Sequence, residues 1–466
     1  MGLTQENILG RYLLLFSVAL FLLLTIPSLF SDGMFLDGLM YASIAKNLSL
    51  EHGGVWSLHY TNTFASEFNG HPPLAFLLQS LVFKLFGDHL WVERWYSLGT
   101  YFAISFFLYR IWKFIGKSKG TFWLPMLFLA LVPLMTWSTA NNMLENTMSV
   151  FTCAAVYFYL LSTRGLKYWF LLLSALMVVF AFLSKGFTGL YVWVFPFVFW
   201  LIGNQRNVKR GLLDALFLVA LSVLLILILF YLNEDAYKAM DRYYQIQVVG
   251  SLESVTTVRS RFYIVTKLLT ELLIPLGIML LLYLWAKRTG NRISLRSDEK
   301  VAVVFFIVGF CGVLPIVVSL KQSGFYIVTT FPFFVIALSL LVINGAELFQ
   351  RSVLLTRLKL VKVIVLVLAV GCVVMFFVSI SRIGRDKSKI IMLTTFDDDI
   401  EDDTTIFIPR NMWSDWNIHA YFSRLKNVSL STNTPDQGAL YLSKDVEGGE
   451  FELTSQSEGY FLYIVK

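Results

Sequence analysis

Charge is scarce in this chain. Its 466 residues carry 38 Lys+Arg and 31 Asp+Glu, a charged fraction of 15%, where soluble domains carry about 25%. That is too little polar surface to cover the core of a water-soluble protein of this length. Cysteine is scarcer still. The three residues, Cys153, Cys311 and Cys372, each lie inside an apolar run, which leaves no disulfide scaffold and no Cys-built metal pair and makes them small buried hydrophobes. A Gly-rich phosphate loop after a strand is missing, and with it any nucleotide-sugar machinery. What is abundant is apolar and aromatic: 57% hydrophobic residues, with 42 Phe, 21 Tyr and 12 Trp. That composition excludes disorder and leaves a polytopic membrane protein.

Eleven apolar runs approach the roughly 17–25 residues that a helix needs to cross a bilayer. They lie at about 11–30, 91–112, 121–139, 146–163, 168–184, 187–202, 211–232, 262–286, 301–319, 325–343 and 361–381. The first lacks a small-residue cleavage site and reads as a retained anchor. One set of connections is rich in bases: Arg110, Lys113, Lys117 and Lys119; Arg164 and Lys167; Arg206, Lys209 and Arg210; Lys287, Arg288, Arg292, Arg296 and Lys300; Arg351, Arg357 and Lys359. Small basic clusters between apolar runs mark cytoplasmic loops rather than a nucleic-acid surface. The bases are concentrated in residues 1–384, net +13, whereas residues 385–466 hold 14 acids against 8 bases. The chain thus divides into a membrane domain, 1–384, and a small soluble domain, 385–466, which an odd number of spans places outside. Two outer loops are long, 31–90 and 233–261, and rich in aromatics.

The first outer loop is the most informative. Asp37-Gly38-Leu39-Met40-Tyr41-Ala42 opens an amphipathic helix running to Leu50, expected on the membrane surface. Asp37 sits where an N-cap acid is favoured, which is its plainest explanation. Glu67-Phe68-Asn69-Gly70-His71-Pro72-Pro73-Leu74 follows, and the double proline starts a second amphipathic helix to Phe86. Four of the five histidines fall in this loop, at spacings that match no zinc pattern.

These motifs resemble the membrane glycosyltransferases of the GT-C fold, nearest to the protein O-mannosyltransferases and the lipid A aminoarabinose transferases. Asp37 to Ala42 is similar to the family's Asp-Glu-x-x-Tyr-Ala element, and His71-Pro72-Pro73-Leu74 to its Lys-Pro-Pro-Leu. Glu145 falls where relatives place a second acid at the start of a span. Leu183-Ser184-Lys185-Gly186-Phe187-Thr188-Gly189 is similar to Leu-x-Lys-Gly-Pro-x-Gly, and Ser319-Leu320-Lys321 through Tyr326 to Pro332 to a late Ser-x-Lys…Tyr…Pro element. The resemblance covers about residues 10–345. Two positions depart from it: Gly38 replaces the second acid of the pair, and His71 replaces the lysine before Pro-Pro.

The resemblance implies an all-α polytopic GT-C protein of about 11–13 transmembrane helices with amphipathic juxtamembrane helices in the first outer loop. It implies an inverting transfer of a sugar from a polyprenyl (undecaprenyl) phosphate to a lipid, glycan or protein acceptor on the outer face of a bacterial inner membrane. The periplasm would then hold the active site and the C-terminal domain. Membrane lipids are the other implied partners; nucleic acid is not one.

Such a reaction needs a base for the acceptor hydroxyl and cations for the departing phosphate. Asp37 is the candidate base, ahead of Asp32. Glu145 is a second acid, to orient the acceptor, assist the base or hold an ion. Lys185 is the first phosphate candidate, since a lysine between two apolar runs either has a partner or snorkels to the interface. His71, Arg259, Arg261, Lys321 and Tyr326 complete the phosphate set, Arg forks suiting phosphate. Tyr41, Glu67, Tyr243 and Tyr244 are candidates to contact sugar or acceptor. No cofactor is assigned, a divalent metal ion being open.

The tail reads as α/β, with strands at 404–408, 439–442 and 460–465 and a helix at 416–425. Asp397-Asp398-Asp399 lies in an acidic run and reads as a solvated turn. A transporter or flippase of polyprenyl-linked glycans, or a polysaccharide polymerase, are the alternative functions. A transporter would carry ionisable residues at mid-membrane depth and repeat symmetry, and here the acids gather at outer loop ends.

Overall fold

The computed structural model describes residues 2–165, 167–203, 207–250, 256–288 and 298–466. The basic positions Arg206, Arg292 and Arg296 lie outside the described residues. Each of the eleven apolar runs is helical, but among the described residues eight helices are long and apolar enough on their own to cross a membrane, nine if one bent pair counts as a single span. The difference from eleven has local causes. Helix Val92–Phe114 carries Glu93, Arg94, Arg110 and Lys113. Segment 187–202 is short and begins as a 3-10 helix. The 121–139 run breaks at Leu131-Val132 into Trp123–Ala130 and Pro133–Ala140, bent by 74°. Pro133 starts the second piece, where its missing N–H costs nothing. The neighbouring orphan N–H of Leu134 donates to the buried Glu271 carboxylate at 2.7 Å.

The first helix, Gly2–Leu29, packs along the last spanning helix, Leu358–Ile380. Their outer ends are stitched together: Asp32 N–H donates to the Arg382 carbonyl and Gly384 N–H to the Asp32 carbonyl, both at 2.9 Å. The buried Arg94 guanidinium adds bonds to the carbonyls of Leu29, Ser31 and Gly33.

Outside the spans, helices Leu36–Ser49 and Leu74–Phe86 pack on one another. The first does not lie open on the membrane surface as its amphipathicity suggests. Residues 38, 39 and 41–48 are all buried, because helix Trp416–Lys426 of the C-terminal domain covers it. Its polar residues find partners within the first outer loop. Asn47 donates to the carbonyls of His59 and Tyr60, and Lys46 pairs with Asp88 at 2.5 Å.

The C-terminal domain is a small α/β unit. A hairpin in the first outer loop forms β1 (Gly53–Gly54) and β2 (Ser57–Leu58). The domain itself contributes β3 (Thr405–Phe407), β4 (Ser429–Ser431), β5 (Leu440–Ser443), β6 (Phe451–Ser457) and β7 (Tyr460–Val465), in the mixed order β4-β3-β5-β7-β6. β3 is parallel to both β4 and β5, and β7 antiparallel to β5 and β6. Its core includes Met34 and Leu39 of the outer loop. At the seam Arg424, 2% exposed, holds Glu93 through two bonds of 2.8 and 3.2 Å and Asp88 at 2.6 Å.

Candidate functional site

Two breaks in helical structure meet at one cavity of about 610 Å³. The first is at Lys185, the last residue of helix Lys167–Lys185. The chain turns at Gly186 with φ +92° and ψ −151°, a conformation essentially reserved for glycine. A Cβ at Gly186 would collide with the hydroxyl of Tyr243. Tyr243 donates to the Lys185 carbonyl at 3.3 Å and stacks on Phe187, with planes 13° apart.

The second break precedes helix Leu144–Ser162 and places Glu145 in its first turn. Lys185 Nζ forms an ion pair with Glu145 Oε1, with side chains 7% and 0% exposed. Glu145 Oε2 is buried with no hydrogen-bond partner. The Lys185 ammonium also faces the rings of Phe325 and Tyr326 at 5.3 and 5.5 Å, a favourable cation–π arrangement. Lys185 is therefore partnered inside the protein rather than snorkelling.

The same break, residues 141–143 between helices Pro133–Ala140 and Leu144–Ser162, also holds the Asp37 helix. Asn141 Oδ1 accepts from Phe35 N–H at 2.8 Å and Asn142 Nδ2 donates to the Gly38 carbonyl at 3.2 Å. A Cβ at Gly38 would strike the Asn141 carbonyl, which gives a local reason for glycine at the position where relatives carry an acid. Phe35, not Asp37, is the N-cap, and no side chain caps the helix. Asp37 lies in the first turn, and its carboxyl has no hydrogen-bond or ion-pair partner among the described residues. Burial pushes the Asp37 carboxyl above the usual range, and the nearby Lys185 charge pulls it part of the way back.

His71 lines the cavity. Its Nε2 lies 3.1 Å from the Tyr41 hydroxyl, and its Nδ1 is buried and unpaired. Burial, then the charges of Lys185 and Lys321, hold His71 well below its ordinary pKa, so it is neutral at pH 7. Burial, then the nearby Asp37 and Glu145 carboxylates, push the Tyr41 hydroxyl far up. Lys321 lines the cavity and donates to Gln247 Oε1 at 3.0 Å; burial lowers its pKa. Tyr326 and Tyr243 also line it.

The remaining candidates lie elsewhere. Arg259 and Arg261 are exposed and are not in the cavity wall. Tyr244 is 43% exposed, edge-on to Phe187. Glu67 forms an exposed ion pair with Arg242, tying the first outer loop to helix Glu234–Tyr243. Asp32 is engaged through its backbone in the seam with residues 382–384. Among the described residues no group of three His, Cys, Asp or Glu side chains is placed to hold a metal ion, and Glu145 faces an ammonium.

Several lining residues carried no sequence signal. Gln247, Thr188 and Tyr191 are unremarkable in their runs, and Met148, Cys311, Pro315 and Ile316 add apolar side chains to the charged residues of the wall. Only Thr188 could have been found, since it sits inside the Lys185–Gly189 element.

A family model described as dolichyl-phosphate-mannose-protein mannosyltransferase matches residues 70–231. No curated protein matches the chain. Among solved structures, ArnT from Cupriavidus metallidurans bound to undecaprenyl phosphate is similar with a TM-score of 0.64 at 14% identity, covering 97% of this chain and 98% of ArnT. The apo state of ArnT gives 0.65 at 14% identity, with 97% of each chain covered. The oligosaccharyltransferase of Archaeoglobus fulgidus in its apo form gives 0.56 at 12% identity, covering 92% of this chain and 64% of that one. At these identities the likeness is one of fold.

Proposed function

We propose that this chain, whose fold is that of the GT-C membrane glycosyltransferases, transfers a sugar from a polyprenyl-phosphate donor to an acceptor at the outer face of a bacterial inner membrane. One observation carries the reading: one cavity is lined both by the cations Lys185 and Lys321 and by apolar side chains such as Met148, Leu190, Pro315 and Ile316. That lining suits the chemistry of an amphiphile with an anionic head and a hydrocarbon tail. The fold likeness to ArnT, a protein seen with undecaprenyl phosphate bound, supports the same class of donor. In this reading the cavity and the C-terminal domain face the periplasm.

Asp37 takes the proton from the acceptor hydroxyl. Its carboxyl has no competing partner, and its raised pKa brings it nearer to the range that suits a base at neutral pH. The acceptor oxygen attacks the anomeric carbon directly, with inversion, and the bond to the phosphate oxygen breaks. Lys185 and Lys321 stabilise the charge gathering on the departing polyprenyl phosphate. Neutral His71 and Tyr326 add hydrogen bonds, and Tyr243 fixes the Lys185 turn.

The test is a purified-protein assay with a labelled polyprenyl-phosphate sugar. Free polyprenyl phosphate should accumulate in step with glycosylated acceptor, and Asp37→Asn should abolish both. Movement of intact donor across a vesicle membrane without bond cleavage would favour a transporter instead. Wild-type turnover in Asp37→Asn would remove the base assignment.

A further inference from the structure

Glu145 and the proposed donor compete for one cation. The Glu145 carboxylate is completely buried, its Oε2 has no partner, and the Lys185 ammonium is its ion-pair partner. Lys185 stands in the cavity wall, so the charge that neutralises Glu145 is also the charge a phosphate headgroup would seek. A buried carboxylate stripped of its countercharge is strongly disfavoured and neutralises by taking up a proton.

We propose that donor binding transfers the Lys185 ammonium from Glu145 to the phosphate and is completed by uptake of one proton from solvent onto the Glu145 carboxylate. The proposal rests on the donor reading above. The charges balance: the neutral Lys185–Glu145 pair, an anionic phosphate and one proton become a Lys185–phosphate pair and a neutral carboxylic acid. No covalent bond changes except the new O–H.

The surroundings of Glu145 favour that proton. Asp37 and Tyr41 approach from helix Leu36–Ser49, and Tyr326 from the segment that begins at Gly324; the field of each carboxylate reaches both tyrosines. His71, neutral, and Lys321 share the cavity. Asp37 and the incoming phosphate are both anionic, and each makes a second carboxylate harder to keep charged. Lys321 is held by Gln247 on the second outer loop and does not replace Lys185.

The experiment is calorimetric titration of the full-length protein in nanodiscs with undecaprenyl phosphate, in buffers of different ionisation enthalpy at about pH 7.5, where the phosphate is already fully ionised. The wild type should take up about one proton per phosphate bound, and its affinity should fall by up to about tenfold per pH unit as the medium becomes alkaline. Glu145→Gln should bind with no proton uptake and a flat pH dependence. If Glu145→Gln does not fold, infrared difference spectra of the wild type should show a protonated-carboxyl band on binding. Binding without proton uptake, or uptake that persists in Glu145→Gln, would overturn the proposal while leaving the donor reading intact. Failure of the wild type to bind would instead remove the donor reading.

Discussion

Gly186→Ala places two separate penalties on the Lys185 turn. Alanine would have to hold φ +92° and ψ −151°, at a cost of about 1–3 kcal/mol. Its methyl would also land on the Tyr243 hydroxyl. Tyr243 cannot retreat freely, since it is buried in a cluster with Phe182, Leu183 and Met240 and stacks on Phe187. Either the ring or the turn must shift, and a shift of the turn carries Lys185 with it. Misplacement by about 1 Å can cost on the order of 100-fold in rate. Tyr243→Phe alone removes one bond of 3.3 Å, worth about 0.5–1.5 kcal/mol. Thermal unfolding and turnover of both variants and of the double variant in detergent separate the terms. Gly186→Ala should lose both stability and turnover. Adding Tyr243→Phe should restore a small part of each, because the contact with the hydroxyl is removed while the ring carbons, at 2.5 and 2.9 Å from the added methyl, and the backbone strain remain. A Gly186→Ala protein with wild-type stability and turnover would refute the reasoning, as would a double variant no better than Gly186→Ala alone.

Other outcomes follow from the same geometry. The raised pKa of Asp37 means that the base is protonated, and the rate lost, at a higher pH than for an ordinary aspartate. The acid limb of the pH–rate profile should lie above the ordinary Asp range, and a limb at or below that range would contradict the burial argument. Arg424→Ala strands the buried Glu93 carboxylate, a loss of about 3–5 kcal/mol. It should lower the unfolding temperature and open the C-terminal domain to protease, whereas Arg424→Met with Glu93→Leu should be much milder. Burial pushes the Asp88 carboxyl up, but Arg424 and Lys46 more than reverse it. The folded-state pKa is thus depressed, so the contribution of Asp88 to docking is complete above the ordinary carboxylate range and lost only as pH falls below it. Protease sensitivity of the seam should be flat from pH 8 to 5.

The candidate site was partly legible because an apolar chain makes each polar residue conspicuous. Lys185 interrupts two hydrophobic runs, and Asp37 opens a helix after the first one; the structure puts the first in the cavity wall and the second within reach of its charge. Arg259 and Arg261 drew notice for the same reason, yet they lie exposed. A base near a span end has the same sequence signature whether it lines a cavity or anchors at an interface. The periodicity at 36–49 places a helix, but its burial depends on the C-terminal domain far along the chain, and a local pattern does not reveal which partner covers a face. In the tail, β7 and helix Trp416–Lys426 follow their patterns closely. β4 is three residues long and β6 mostly polar, so both exist through pairing with distant strands rather than through their own periodicity.

The seam between residues 32 and 382–384 has a consequence for biogenesis. Helix Gly2–Leu29 packs along helix Leu358–Ile380 as well as on the earlier helices Trp123–Ala130 and Pro133–Ala140, so the face it turns to Leu358–Ile380 stays uncovered until some 330 further residues have been synthesised. At about 5–20 residues per second that wait is on the order of tens of seconds. During it, Arg94 and the carbonyls at the end of the first helix already have one another, while the Arg382 and Gly384 bonds to Asp32 are still missing. Closure of this seam thus waits on the segment that follows helix Leu358–Ile380, and the same segment leads into the C-terminal domain that covers the helix carrying Asp37. A ribosome that stalls before Leu358 leaves a membrane-inserted chain whose Asp37 helix lacks the cover of helix Trp416–Lys426.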